Sequence, residues 1–329
     1  MRIWYDAATG KQVRYGATLA KKFRKLGHEY IFTTREHPDT LPLAKALGED
    51  PIVIGRYDPT SLHARLKESA DRMLGLLKLF ESGIPDIAIA HQSIELCRVA
   101  FGLNVPIVLT ADTPHANAAN RLTVPLAHTL VVSEAIPKSF YKHFGAQKVV
   151  RFRGVDEVAW VRDVEPLKDL KFERPLIIVR QLETRASYAF GQDDETLKLA
   201  EELSSMGTVL FLSRYAKPDS GKIVTMNEFV DSVRLVKSAD LVVSAGGTIS
   251  REAALQGVPS IVISQLGDTY VNRYLAKKGF PIFFSNPSRT AGLAKKYLGK
   301  SFVVSNKLEL FQNPVDVIKD TAEIIMHET

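Results

Sequence analysis

Cysteine is almost absent from this 329-residue chain: the single Cys97 cannot close an intramolecular disulfide and excludes a zinc site built on several thiolates. Its expected role is that of a small buried hydrophobe. Long apolar runs are missing too. The greasiest stretches, such as Leu241-Val242-Val243, are strand-sized and far short of the ~20 residues a membrane-spanning helix needs. Met1-Arg2-Ile3-Trp4-Tyr5-Asp6 brings in an acid before an apolar signal region can form, which argues against a cleaved secretory peptide. No charge sign dominates: 43 basic and 37 acidic residues leave +6, a small excess for this length that gives no ground for a nucleic-acid partner. A dinucleotide fingerprint is also lacking. Residues 6–16 hold only Gly10 and Gly16, so the G-x-G-x-x-G that a nicotinamide-dependent dehydrogenase needs after its first strand is not there. The expectation is a soluble, cytoplasmic chain whose contact with a membrane face, if any, is peripheral.

What is present is ordinary globular composition, 45% hydrophobic and 24% charged with 20 Gly and 16 Pro, at a length that suits two domains of ~100 to 200 residues each. Short β-branched runs alternate with amphipathic stretches. The pattern predicts strands over 3–5, 30–33, 52–54, 87–90, 107–109 and 130–132, with a helix over 14–26 stopped by Gly27. A second series of strands follows over 176–179, 209–212, 241–243, 260–263 and 282–284, with helical stretches at 196–205, 230–237 and 269–278. The charge-rich segment 155–173 reads as the junction, dividing the chain into domains 1–160 and 161–329. Asn313-Pro314 is an N-cap and first-turn proline for a terminal helix over 314–327, assigned to the second domain. Strands alternating with helices imply parallel βαβ units, hence an α/β fold of two Rossmann-like domains whose parallel sheets face a central cleft at their carboxyl ends.

The segment with the clearest chemistry runs from Ala239 to Pro259 as strand, glycine turn, helix, glycine stop and next strand. Gly246 and Gly247 carry no side chains to keep a ligand off the backbone. The helix after them offers unpaired N–H groups and a partial positive charge, the requirements of a diphosphate seat. Glu252, about one turn in, leans back toward the helix N-terminus and could accept from two ribose hydroxyls. The bland reading is a tight turn followed by a solvated acid that complements the helix dipole.

This segment resembles the nucleotide-sugar site of glycosyltransferases with the two-domain GT-B fold and of the related non-hydrolysing UDP-N-acetylglucosamine 2-epimerases. The whole chain resembles the family called domain of unknown function 354. The likeness rests on His91-Gln92-Ser93-Ile94-Glu95 running into Arg98-Val99-Ala100-Phe101-Gly102-Leu103, on 120–127, and on Gly246-Gly247-Thr248 through Arg251-Glu252-Ala253-Ala254-Leu255. It implies phosphate contacts at Gly246, Gly247 and Thr248 and ribose contacts at Glu252, with a nucleotide diphosphate sugar as substrate, no cofactor and no metal. In the first loop, 9–13, such proteins are expected to carry a histidine where this chain has Gln12, which can position a hydroxyl but cannot take its proton.

Other residues sit at predicted strand ends. Arg180 and Arg214 could grip a diphosphate, or serve solubility or an ion pair. Asp112 and His115, three residues apart on one loop, could deprotonate an acceptor hydroxyl, with His91 as a further base; capping and a satisfied histidine are the alternatives. Asn120 and Arg121 could bind sugar hydroxyls or phosphate, or close the loop. The acids at 193–195 precede a predicted helix and read as dipole complements, not metal ligands. Basic clusters at 21–25 and 295–296 read as solvated faces, functional only toward a lipid-linked acceptor at an anionic membrane. The reading is a metal-independent GT-B-like glycosyltransferase with a nucleotide sugar donor and a sugar, lipid-linked sugar or small-molecule acceptor. The alternatives are a nucleotide-sugar 2-epimerase and a non-catalytic nucleotide-sugar-binding protein.

Overall fold

The apolar run near the N-terminus forms strand β1 (Arg2–Ala7), buried on both faces, as the centre of a helix-covered parallel sheet requires. The computed structural model describes residues 1–38, 40–162, 164–167, 172–182, 195–213, 223–225 and 229–328. These fall into two units, Met1–Ala159 with Gln312–Thr329, and Trp160–Phe311.

In the first unit β1 is followed by α1 (Gly10–Lys25), β2 (Glu29–Glu36), α2 (Thr40–Ala46), β3 (Ile52–Arg56), α3 (Leu62–Leu79), β4 (Ile87–His91), α4 (Ile94–Gly102), β5 (Ile107–Thr110), α5 (Asn117–Thr123), β6 (Thr129–Ser133), α6 (Lys138–Lys142) and β7 (Lys148–Phe152). The single turn α7 (Val158–Val161) leads out. All neighbouring strands pair in parallel, in the order β3-β2-β1-β4-β5-β6-β7.

The second unit runs β8 (Leu176–Arg180), α8 (Thr196–Leu203), β9 (Thr208–Leu212), β10 (Ile223–Thr225), α9 (Ser232–Lys237), β11 (Leu241–Ser244), α10 (Thr248–Leu255), β12 (Ser260–Val262), α11 (Tyr270–Lys277), β13 (Ile282–Phe284), α12 (Pro287–Tyr297) and α13 (Ser305–Glu309). Its parallel sheet has the order β10-β9-β8-β11-β12-β13. Each sheet therefore reverses direction of growth at one place, between β1 and β4 and between β8 and β11. Ligands of open α/β sheets sit outside the carboxyl ends of the strands at such reversals.

Alternation along each strand builds two cores per sheet. In the second unit Ile177, Val179, Val209 and Phe211 pack with Leu199 and Leu203 of α8, while Ile178, Leu210 and Val242 pack on the other face with Leu235 of α9 and Ala253 of α10. On β1, Tyr5 faces α1, where its hydroxyl donates to the Gln12 carbonyl (2.9 Å), and Tyr30 of β2 does the same to Gly16 (3.1 Å).

The opposite face of β1 carries a buried charge. Asp6 and Arg72 of α3 are 0% and 1% exposed, and the guanidinium forks onto the carboxylate at 2.5 and 2.9 Å. Ser93 and Thr33 each donate to Asp6 at 2.6 Å, and Arg72 Nε reaches the Ile54 carbonyl at 2.9 Å. The pair thereby ties β1, β2, β3, α3 and the start of α4 together. Burial pushes the Asp6 carboxyl up, but the charge and hydrogen bonds of Arg72, with those of Ser93 and Thr33, outweigh it and hold the group below the ordinary aspartate value.

The structure departs from the sequence expectations in three places. Helix α1 begins at Gly10, capped by the Thr9 side chain, so Lys11 and Gln12 lie in its first turn and not in a preceding loop. The terminal helix α14 (Pro314–Glu328) belongs to the first unit, where it packs on α1, β5 and β6. Strands β7 and β10 were not anticipated. Both are sheet edges, one flanked by Lys148 and Arg151 and the other three residues long, so neither shows the continuous apolar run of an inner strand.

Replacing Arg72 by Met should lower stability by about 3–5 kcal/mol at pH 7, the cost of stranding one member of a buried pair. The folded pKa of Asp6 lies below its unfolded value of about 3.9, so its contribution is complete above that pH and lost as pH falls through the folded value. In Arg72→Met the buried carboxyl loses the cation that offsets its burial, so its pKa rises and protonation relieves the variant as pH falls; the gap between wild-type and variant urea midpoints should narrow from pH 7 toward pH 4.

Candidate functional site

At the reversal point of the first sheet, the carboxyl ends of β1, β4 and β5 and the turn after β7 converge on Lys11. A lysine in the first turn of a helix opposes the dipole. Here it is held by three acids: Nζ lies 2.5 Å from Asp112 Oδ2, 2.9 Å from Asp156 Oδ2 and 3.4 Å from Glu157 Oε1. The three carboxylates are 8%, 3% and 0% exposed and the lysine 12%. Asp156 and Glu157, read from sequence as the start of a charged junction, are thus part of a buried polar centre.

His91, 5% exposed at the end of β4, presents Nε2 to Asp112 Oδ1 at 3.4 Å, while Nδ1 meets the Thr110 hydroxyl at 2.7 Å. Tyr15 lies against its ring, with centroids 5.7 Å apart. Asp112 also accepts from Thr113 at 2.9 Å. The next residue, Gln92, has φ +55°, an uncommon conformation for a side-chain-bearing residue, and so turns the chain sharply at the strand end. Tyr141 is fully buried with its hydroxyl unpartnered; burial and then the charges of Asp112 and Asp156 raise its pKa well above the usual value. Among the described residues, His91, Asp112 and Asp156 have donor atoms close enough to share a metal ion, within 4.8 Å. The Lys11 ammonium already bridges both aspartates, so the arrangement is a buried ionic cluster with its own internal cation.

Three of the residues singled out in this unit turn inward. Gln12 accepts from Ala8 N and donates to the His91 carbonyl, both at 2.6 Å, fastening the β1–α1 turn to β4. Asn120, 0% exposed, accepts from Gln92 at 2.7 Å and donates to the Pro114 carbonyl at 3.0 Å, closing the loop that carries Asp112. Both amides bond to the protein itself, Asn120 in the loop-closing role that is one of its two readings. Ser93 caps α4 while donating to Asp6. His115 and Arg121 are exposed. Shielding by its loop lowers the His115 pKa against the opposing field of Asp112.

At the reversal point of the second sheet, β11 ends in Ser244, whose hydroxyl bonds Ser250 (2.5 Å) and accepts from Gly246 N (3.0 Å). Gly246 has φ +96°, and a β-carbon built there would fall 2.5 Å from Gly267 Cα and 2.6 Å from Val262 Cγ1. The next glycine is different: a β-carbon on Gly247 would meet nothing within 4 Å. Gly247 is exposed, and among the described residues no side-chain hydrogen bond caps α10, so its N-terminus is open there with Thr248 as its first residue. Asn272 of α11 clamps the two glycine turns, donating to the Gly246 and Gly267 carbonyls at 2.7 Å each, and its Oδ1 is buried without a partner.

Glu252 is 2% exposed, so it is not a solvated first-turn acid. Trp160 Nε1 donates to its Oε1 at 3.0 Å and Ser232 to its Oε2 at 3.4 Å. Arg180 is half-buried at the end of β8. Arg214 and the acids 193–194 lie outside the described residues.

Sequence reasoning missed Lys11, Asp156, Glu157, Tyr141 and Asn272. A first-turn lysine against the helix dipole was the one available signal; the others become neighbours only through the sheet.

A family model described as a protein of unknown function, DUF354, matches residues 1–323. The chain is 31% identical over 333 residues to an uncharacterized protein of Methanocaldococcus jannaschii, covering 96% of each. Among solved structures it is similar to the UDP-GlcNAc 2-epimerase of the same organism, with a TM-score of 0.67 at 12% identity over 99% of this chain and 100% of that one. It is also similar to spinosyn forosaminyltransferase SpnP, at 0.66 and 15% identity over 99% of both. These likenesses establish the α/β fold of glycosyltransferases and nucleotide-sugar epimerases.

Lys11→Met should strand the three acids and cost about 3–5 kcal/mol, and Asp156→Asn in the same chain should recover part of that loss. Urea melts of the two variants beside wild type measure both.

Proposed function

The chain belongs to the DUF354 family, and from its two strand-edge centres we propose that it is a glycosyltransferase that takes a nucleotide diphosphate sugar as donor. The observation that carries this reading is the open N-terminus of α10. Gly247 leaves the backbone N–H groups accessible, and Glu252 is fixed one turn further on by Trp160 and Ser232. A diphosphate matches the helix N-terminus in charge and donor geometry. A ribose beside it would present hydroxyls toward Glu252, a carboxylate acceptor one turn into the helix. Arg180 supplies positive charge at the neighbouring strand end, and Thr248 a hydroxyl at the first helical position.

In this reading the first unit holds the acceptor. The acceptor hydroxyl gives its proton to the Asp112 carboxylate, held between Lys11 and the His91 imidazole, as its oxygen bonds the anomeric carbon. The bond between the anomeric carbon and the diphosphate oxygen breaks, and the departing charge is received by the α10 amides and Arg180. The fold neighbours support the substrate class, since their names specify sugar transfer and epimerisation of UDP-GlcNAc.

One observation favours a second reading. Several acid/base groups crowded at Lys11 would also suit epimerisation at sugar carbon 2, in which the nucleotide diphosphate is eliminated and re-added.

Binding of nucleoside diphosphates and nucleotide sugars by calorimetry tests the donor site. Gly247→Ala should leave the melting temperature nearly unchanged and weaken binding at least about tenfold, as should Glu252→Gln, each equivalent to about 1.4 kcal/mol. Unaltered binding in both variants would refute the seat. Product analysis then separates the reactions: donor consumption that requires acceptor supports transfer, and a free epimer formed without acceptor supports epimerisation. Asp112→Asn should reduce turnover by about 10²-fold or more in either case.

A further inference from the structure

Helix α3 has two faces of opposite character. One carries Arg72, 1% exposed against Asp6; the other carries Leu62, Leu66, Leu74 and Leu77, exposed at 81%, 72%, 66% and 45%. At 100° per residue these leucines and the exposed Ala70 fall within about 120° of the helix circumference, the width of a core-facing stripe. An amphipathic surface helix turns such a stripe inward, whereas α3 turns its stripe to solvent. The edge strand β3 beside it adds Ile52, 44% exposed and on the same side of the strand as Ile54, which meets Gly75 of α3; α3 and β3 are in direct contact.

We propose that this face is the contact between two copies of the chain, with α3 packed antiparallel on α3 of the second copy about a two-fold axis near Ala70. Three features on this face select that occupant. First, the stripe is self-complementary. Leu66 and Leu74 lie four residues either side of Ala70, and Leu62 and Leu77 eight and seven, so an antiparallel copy places leucine against leucine, as an isologous contact requires. Second, the small Ala70 sits where two helix axes would approach most closely. Third, the extent is sufficient. The stripe with the β3 edge exposes apolar surface on the order of 500 Å² per copy, the size of the largest, often functional, patch on a monomer, and twice that reaches the lower bound for a specific interface.

The flank argues against a lipid surface as the occupant. An interfacial helix carries lysine and arginine on its polar face. Here Lys67 is paired with Asp71 at 2.6 Å, leaving that flank of mixed sign, as in the polar rim of a protein interface.

Sedimentation velocity of the full chain at micromolar concentration should give the mass of a dimer. Leu66→Glu with Leu74→Glu should give a monomer with an unchanged melting temperature, because both side chains already face water. Position 70 supplies a second readout. The native thiol is buried and its pKa is raised by that burial, so it does not compete. Ala70→Cys should form a disulfide-linked dimer under mild oxidation, and Lys148→Cys, on the far sheet edge β7, should not. A wild-type monomer, a dimer that persists in the double glutamate variant, or cross-linking at 148 and not at 70 would each overturn the proposal. A monomeric wild type that floats with anionic phospholipid vesicles would assign the stripe to a membrane and overturn it equally.

Discussion

Asp6 sits on the central strand of the first sheet with no access to water, and its charge is tolerable there only because Arg72 reaches it from α3. Much of the first unit depends on that constraint. The guanidinium must cross from α3 beneath β3 to reach β1, so α3 cannot slide along the sheet without breaking a bidentate contact and the bond to the Ile54 carbonyl. Ser93 couples the same carboxylate to the first turn of α4, directly after the strand end that bears His91. Two residues beyond Asp6 in the other direction, Ala8 receives the Gln12 side chain and α1 begins. The pair therefore fixes in common the ends of β1 and β4, between which the sheet reverses and Lys11 finds its acids.

The two units solve the same topological problem with opposite chemistry. At the first reversal the space between strand ends is filled with ionisable side chains that neutralise one another in part. At the second, among the described residues, the turn after β11 is built of glycine: Gly246 and Gly267 approach backbone to backbone, and Gly247 carries no side chain over the helix end. Side-chain-rich and side-chain-poor edges suit different tasks, proton transfer in the one and close approach of a ligand to the main chain in the other.

Much of this was legible in the sequence because it depends on local order. The strand-glycine-helix segment around Gly246 is contiguous, and the inner strands announce themselves by apolar runs that a sheet covered on both faces demands. Edge strands β7 and β10 lack that pressure and stayed hidden. The Lys11 centre was only half visible. Asp112 and His91 stand at strand ends, but Asp156 and Glu157 resemble any charged linker until β7 delivers them to the middle of the edge. Gln12 and Asn120 show the limit of local reading, loop closure being one of the two roles the sequence left open to Asn120. A polar residue on a loop near a strand end reads as a ligand contact, yet the loop needs hydrogen bonds of its own, and these two amides supply them.

Among the described residues the Lys11 centre sets three carboxylates against one ammonium, in surroundings that screen charge poorly. If the first unit holds the acceptor, as proposed, an edge so rich in carboxylates would repel a phosphorylated ligand and admit a neutral polyol, sorting by charge before shape.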